Sequence, residues 1–203
     1  MSEAAAAAEE LGPTARVTAI LAREADKAVI FRRGPSRQVL LLTWDLVNDR
    51  IEEGQWFKGR VYERRCDLSP DGELLVYFAA THRGPSPTWT AISRPPHFTA
   101  LALWPKGDAW GGGGLFDGGA DLYLNHRPTE MQLAPGFGTP PGFGVWALPP
   151  RPGWGEDDPI HEMRQKRDGW REIDGGVQAA PTGPRAPMAF VFDRPRLWEK
   201  PAR

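Results

Sequence analysis

From Thr14 onward the chain is a succession of short apolar segments separated by turn residues. They are RVTAILA, KAVIFRR, QVLLLTWD, RVYERRCDL, ELLVYFAA, TWTAISR, FTALALW, DLYLN, FGVWAL and MAFVFD. Such segments are too short for amphipathic helices and are rich in β-branched and aromatic residues, so each predicts a strand. Ten strand candidates at roughly even spacing predict an all-β protein, with one short helix near 159–168.

The clearest local signal is DLSPDGELLVYFAA, residues 67–80. Pro70 and Gly72 stand at the second and fourth positions of a type I turn, and the apolar run Leu74–Phe78 is too continuous for a strand with one wet face. Aligning that turn with the rest of the chain brings GPSR, SPDG, WPKG and TPPG into register. Their prolines stand at 35, 70, 105 and 140, and Asp174-Gly175 follows one period later. A fixed period is the mark of a repeat architecture. Sheets that bury both faces against radial neighbours explain the continuous apolar runs. The expected fold is a small β-propeller-like array of about five short units, with a β-sandwich as the alternative. RVTAILA would close the ring by pairing with MAFVFD.

The SPDGELLVYFAA unit resembles the blades of TolB-type β-propellers. A longer span, GQWFKGRVYERRCDLSPDGELLVYFAA through TWTAISRPPHFTALALWPKGDAWGGGGLF, resembles a group of uncharacterised bacterial proteins with no assigned activity. The resemblance implies a fold and assigns no chemistry.

Composition narrows the partners. Gly 23 and Pro 21 make about a fifth of the 203 residues, turn-rich but below the level of low-complexity disorder. A formal net charge of −1 offers no general basic face for nucleic acid or an anionic membrane. No run reaches the length of a membrane span, and MSEAAAAAEELGP lacks the basic start and apolar core of a secretory signal. With Cys66 alone no internal disulfide can form, which fits a reducing cytoplasm. The expected organisation is a mobile N-terminal tail over 1–13 and a single β domain over 14–203.

Candidate sites each have a plain structural reading beside them. In GWGEDDPIHEMRQKRDGW, Asp157, Asp158 and His161 offer an acid–base set and Trp154 a stacking wall. The same letters spell a capped helix: Asp158 as N-cap, Pro159 at the first turn, Glu162 paired with Lys166, and Gly169 as the stop. Asn125, His126 and Arg127, just after DLYLN, form a polar triplet for a rim loop or an ordinary turn. Gly111–Gly114 can make an anion nest or a close backbone passage. Cys66 beside Arg64 reads as an activated thiol or a buried structural cysteine. No cofactor or metal motif is present in the sequence. The expected function is a non-enzymatic module that binds a protein partner, and the alternative is an enzyme or lectin-like protein acting on a glycan or polar small molecule.

Overall fold

The computed structural model describes residues 15–34, 37–149, 158–173, 189–191 and 197–199. The chain divides into two compact units, one running to Ile160 and the other starting at His161. The protein is mostly β, its sheets largely antiparallel, and none of the described sheets closes into a barrel.

In the first unit, β1 (Arg16–Leu21), β2 (Lys27–Arg33), β3 (Gln38–Asp45) and β4 (Arg50–Lys58) form an antiparallel meander in chain order. The β3–β4 turn is built by Asp45. Its Oδ1 accepts the Val47 amide at 2.9 Å and the Asn48 amide at 3.2 Å, and Asp49 takes a positive φ of 52°. These bonds hold the Asp45 carboxyl below its usual pKa, the contacts from Asn48 contributing most.

The second sheet contains β5 (Arg60–Val61), β6 (Asp67–Leu68), β7 (Leu75–Ala80), β8 (Thr88–Ser93) and β9 (Ala100–Pro105). The path runs β5-β7-β8-β9 and β6 also pairs with β7. The SPDG turn closes the β6–β7 hairpin, with the Gly72 amide donating to the Ser69 carbonyl at 2.9 Å. Partial burial works to raise the Asp71 pKa, yet bonds from the Ser69 hydroxyl and the Glu73 amide outweigh it and hold the carboxylate ionised. The β1–β2 loop docks on this turn, with the Glu24 amide donating to Pro70 and Lys27 pairing with Glu73.

The third sheet is β10 (Gly114–Asp117), β11 (Asp121–Leu124) and β12 (Gly144–Ala147), the last parallel to β11.

The three sheets stack in chain order, because two apolar clusters lie on opposite faces of the second. On one face Leu75, Tyr77 and Ala91 meet Ile20, Val29, Phe31, Val39 and Leu41 of the first sheet. On the other, Val76, Ile92, Ala102 and Trp104 meet Phe116, Leu122 and Leu124 of the third. Every residue of β7 is buried, as its unbroken apolar run predicts. Each large side chain removed from water this way contributes about 1.5–3 kcal/mol before entropy is charged against it. Three layers replace the two of a sandwich.

In the second unit, β13 (Arg171–Ile173), β14 (Ala189–Val191) and β15 (Leu197–Glu199) make an antiparallel sheet in the order β13-β15-β14. Helix α1 (Asp158–Arg167) spans the division between the units. It ends as its sequence predicts: Gly169 has φ +82°, its amide donates to Lys166, and the Trp170 amide donates to Gln165, a Schellman closure.

Two expectations meet a different outcome, and β4 adds a strand outside the ten expected. RVYERRCDL is not one strand: Glu63–Arg65 winds into a 3-10 turn between β5 and β6, which turns Arg65 inward. β4 is a strand despite a polar, exposed sequence, because pairing with β3 supplies what apolar alternation does not. MAFVFD pairs with β15 and RVTAILA with β2, so a pairing between the two is absent from the strand pairs of the described residues. The spaced prolines occupy unlike places. Pro70 lies in a hairpin turn, Pro105 ends β9, Pro140 precedes β12, and Pro35 and the 1–13 tail lie outside the described residues.

Candidate functional site

The glycine run is a close passage of backbone. Gly112 (φ +84°) lies where a Cβ would sit 2.4 Å from the Phe78 ring, and at Gly113 (φ +80°) it would sit 2.0 Å from the Arg65 carbonyl oxygen. Arg65 is fully buried, its guanidinium near the faces of Tyr62 and Phe78, and it donates to the carbonyls of Ala109 (2.7 Å) and Gly111. The two central amides that an anion nest would offer are already in use. Gly112 donates to the Asn125 carbonyl at 2.7 Å and Gly113 to the Thr90 hydroxyl at 2.8 Å.

The same passage fixes the 125–127 triplet. Asn125 returns a backbone bond to Gly113, which carries His126 into the interior. His126 Nδ1 lies 3.1 Å from the Glu130 carbonyl, which can only accept, so Nδ1 carries the proton. Nε2 therefore accepts from the Thr90 hydroxyl at 2.8 Å. A hydroxyl, an imidazole and an orienting carbonyl in series have the geometry of an activated nucleophile. Thr90 is fully buried, however, and its oxygen is spent on Gly113, so the series works as a pin. Burial, with help from the Lys106 charge, lowers the His126 pKa and keeps the ring neutral.

Beside it Lys106 Nζ, almost wholly buried, lies 3.0 Å from Asp108 and 2.9 Å from Glu130. Partial burial pushes both carboxyls up in pKa, but the bonds from Lys106 prevail and both stay below their usual values. Arg127, two-thirds exposed, lies 3.6 Å from Glu130 and 4.0 Å from Asp108. The amide of the exposed Trp110 donates to Asp108. Of the triplet, Arg127 alone offers a charged group to solvent, and Trp110, not singled out by sequence, is its aromatic neighbour through Asp108.

Among the other expected residues, Trp154 and Asp157 lie outside the described residues. Asp158 opens α1, and His161 is buried with Nδ1 accepting from Arg164 Nη2 at 3.3 Å. Glu162 pairs with Lys166. Cys66 is buried with its thiol directed at the Tyr62 carbonyl, 3.2 Å away. No group of three or more potential metal ligands gathers among the described residues. No described helix is long and apolar enough to cross a membrane.

The largest unclaimed feature is the outer face of the first sheet. Strand register places Val17, Arg32, Leu40 and Trp56 in one row across the four strands. Leu21, Ala28, Trp44 and Ile51 form another, with Ala19, Ile30, Leu42 and Glu53 between them. Ten of these twelve side chains are apolar. Val17 is 64% exposed, Leu21 55%, Ile51 54% and Trp56 44%, whereas Ala28 and Leu40 on the inner strands of the same face are buried. The signal was present in KAVIFRR and QVLLLTWD, which are apolar at successive positions where a wet face would alternate. No family model, curated protein or solved structure matches the chain.

Proposed function

We propose that the protein is a non-enzymatic protein-binding module, a scaffold of the bacterial cytoplasm, whose contact surface is the outer face of the first sheet. One observation carries this reading: Val17, Leu21, Ile51 and Trp56, large apolar side chains between 44% and 64% exposed, share one face of a regular sheet, and an exposed apolar patch of that kind marks a contact surface. The buried state of the Thr90–His126 pair supports it from the other side, since the best acid–base geometry of the first unit has no room for a substrate. The stacking of three sheets in chain order supports reading them as successive blades of a propeller-like array, in keeping with the TolB-type resemblance of the SPDG unit. In such an array each blade hides both faces, and the first blade's outer face is the one left for a partner.

A second reading, a lectin-like site for a glycan or another polar small molecule, draws on exposed Trp110 and Arg127 joined through Asp108. A thermal-shift screen against sugars, nucleotides and divalent metals, run beside capture of binding proteins by the wild type and by the Leu21→Asp/Ile51→Lys variant, separates the two. A flat screen and a partner lost with the variant support protein binding. Stabilisation of about 2.7 kcal/mol by a ligand at about 100 times its Kd, abolished by Trp110→Ala, replaces it with the second reading.

A further inference from the structure

We infer that the occupant of this outer face is a second copy of the same chain, packed sheet against sheet about a twofold axis. The inference rests on the protein-binding reading and names its partner.

The first argument is self-complementarity. A twofold interface uses one patch twice, so the patch must suit itself in shape and charge. A sheet face without a large protrusion meets its own copy well, and this sheet already packs that way on its inner side, where its apolar rows meet those of the second sheet. Within these three rows the outer face carries two charged side chains of opposite sign, Arg32 and Glu53, on different strands and in adjacent rows, and Lys58 follows Trp56 on the same side at the end of β4. Neither forms an ion pair among the described residues, and Arg32 instead lies over the Trp56 ring at 5.9 Å, across Leu40. Across a twofold, Arg32 of each copy meets Glu53 of the other, which pairs the charges within the three rows and leaves Lys58 at the rim. The net charge of −1 adds almost no repulsion between copies.

The second argument is area. Four strands about 4.8 Å apart and three rows about 6.8 Å apart make a patch on the order of 400 Å² in plan. Two such faces, with side-chain relief, bury on the order of 1,000 Å² in total, which reaches the lower bound for a specific interface and fits a reversible dimer. Edge-to-edge growth into a longer sheet is opposed at β4. There the Gln55 amide already donates to the Pro96 carbonyl at 2.9 Å, and the same oxygen would lie 2.0 Å from a Cβ at Gly54.

Sedimentation velocity of the purified chain over a wide concentration range tests the inference. The expected result is a monomer–dimer equilibrium weakened about tenfold or more by Arg32→Glu and by Glu53→Arg singly, and restored when both reversals are made in one chain. Leu21→Asp/Ile51→Lys is expected to give a monomer with an unchanged circular dichroism spectrum. A chain that stays monomeric at the highest concentration overturns the inference, as does a dimer indifferent to all four changes. Either failure leaves the broader reading to the capture experiment above, where a different protein lost with the same face variant keeps protein binding and removes self-association.

Discussion

Strands β3 and β7 are written alike, as QVLLLTWD and LVYFAA, and differ in what covers them. Both faces of β7 are roofed, one by the first sheet and one by the third. In β3, Val39 and Leu41 point into the core, while on the outer side Leu40 is buried and Leu42 and Trp44 stay partly exposed. An unbroken apolar run therefore records that both faces are suited to burial, while the neighbouring sheets decide whether burial occurs. The energetic difference is large. Phe78→Ala on β7 is expected to cost about 3–5 kcal/mol, as for other buried aromatic truncations. Ile51→Ala on the outer face of β4 should cost about 1 kcal/mol or less in the monomer, since over half of that side chain is already wet. Urea unfolding of the two variants measures the contrast, and equal losses would show that the outer face is covered in solution.

The next contrast lies between two glycines in the left-handed region. Gly113 (φ +80°) pays for any Cβ both in backbone strain and against the Arg65 carbonyl, whereas Gly118 (φ +58°) has nothing within 4 Å. Gly113→Ala is expected to destabilise by at least about 3 kcal/mol and Gly118→Ala by about 1 kcal/mol. Chemical denaturation distinguishes a packed knot at Arg65 from a turn that merely needs positive φ.

Much of this was legible in the letters, and the failures have physical causes. The strands KAVIFRR and QVLLLTWD match β2 and β3 at both ends, because turn residues flank them and their side chains are β-formers throughout. The C-terminal stop of α1 was readable from Gly169 for the same local reason. β4 was not, since an edge strand needs only backbone pairing on one side and RIEEGQ advertises solvent. Arg65 was unreadable as an anchor: its donors meet the carbonyls of Ala109 and Gly111, more than forty positions away, and no local pattern records such a meeting. Of the candidate residues, His126, expected in a rim loop or an ordinary turn, lies in the interior, because Asn125 is tied to the glycine passage.

Burial of His126 gives the stacked region a pH dependence that the open face lacks. Its folded pKa lies below the ordinary 6.5, so as pH falls through that value the unfolded chain takes the proton first. Stability is thus full above about 6.5 and declines as pH drops toward the folded value. Asp108 and Glu130 have lowered pKa values, so their contribution persists further down and is lost only when the carboxylates themselves protonate. Melting curves from pH 7.5 to 5 should show a falling Tm for the wild type and a flatter course for His126→Gln. An identical slope in both would remove His126 as its source.

The smallest effect is expected where the first and second sheets meet at the surface. Lys27 and Glu73 pair across the docked β1–β2 loop, each side chain about half exposed, and the Lys27 pKa is raised first by that bond. Solvent screening and the entropy of two long side chains leave such pairs worth about 0.2–1 kcal/mol. Glu73→Gln should therefore move the unfolding midpoint by less than about 0.5 kcal/mol, and less still in high salt. Lys27→Ala should cost somewhat more, because the Lys27 stem lies 3.1 Å from where a Cβ would stand at Gly72 and packs on the SPDG turn whatever its charge. If Glu73→Gln instead cost as much as Phe78→Ala, the surface pair rather than the apolar rows would be holding the first sheet on the second. The same inner rows would then be a poor precedent for what the outer rows can bind.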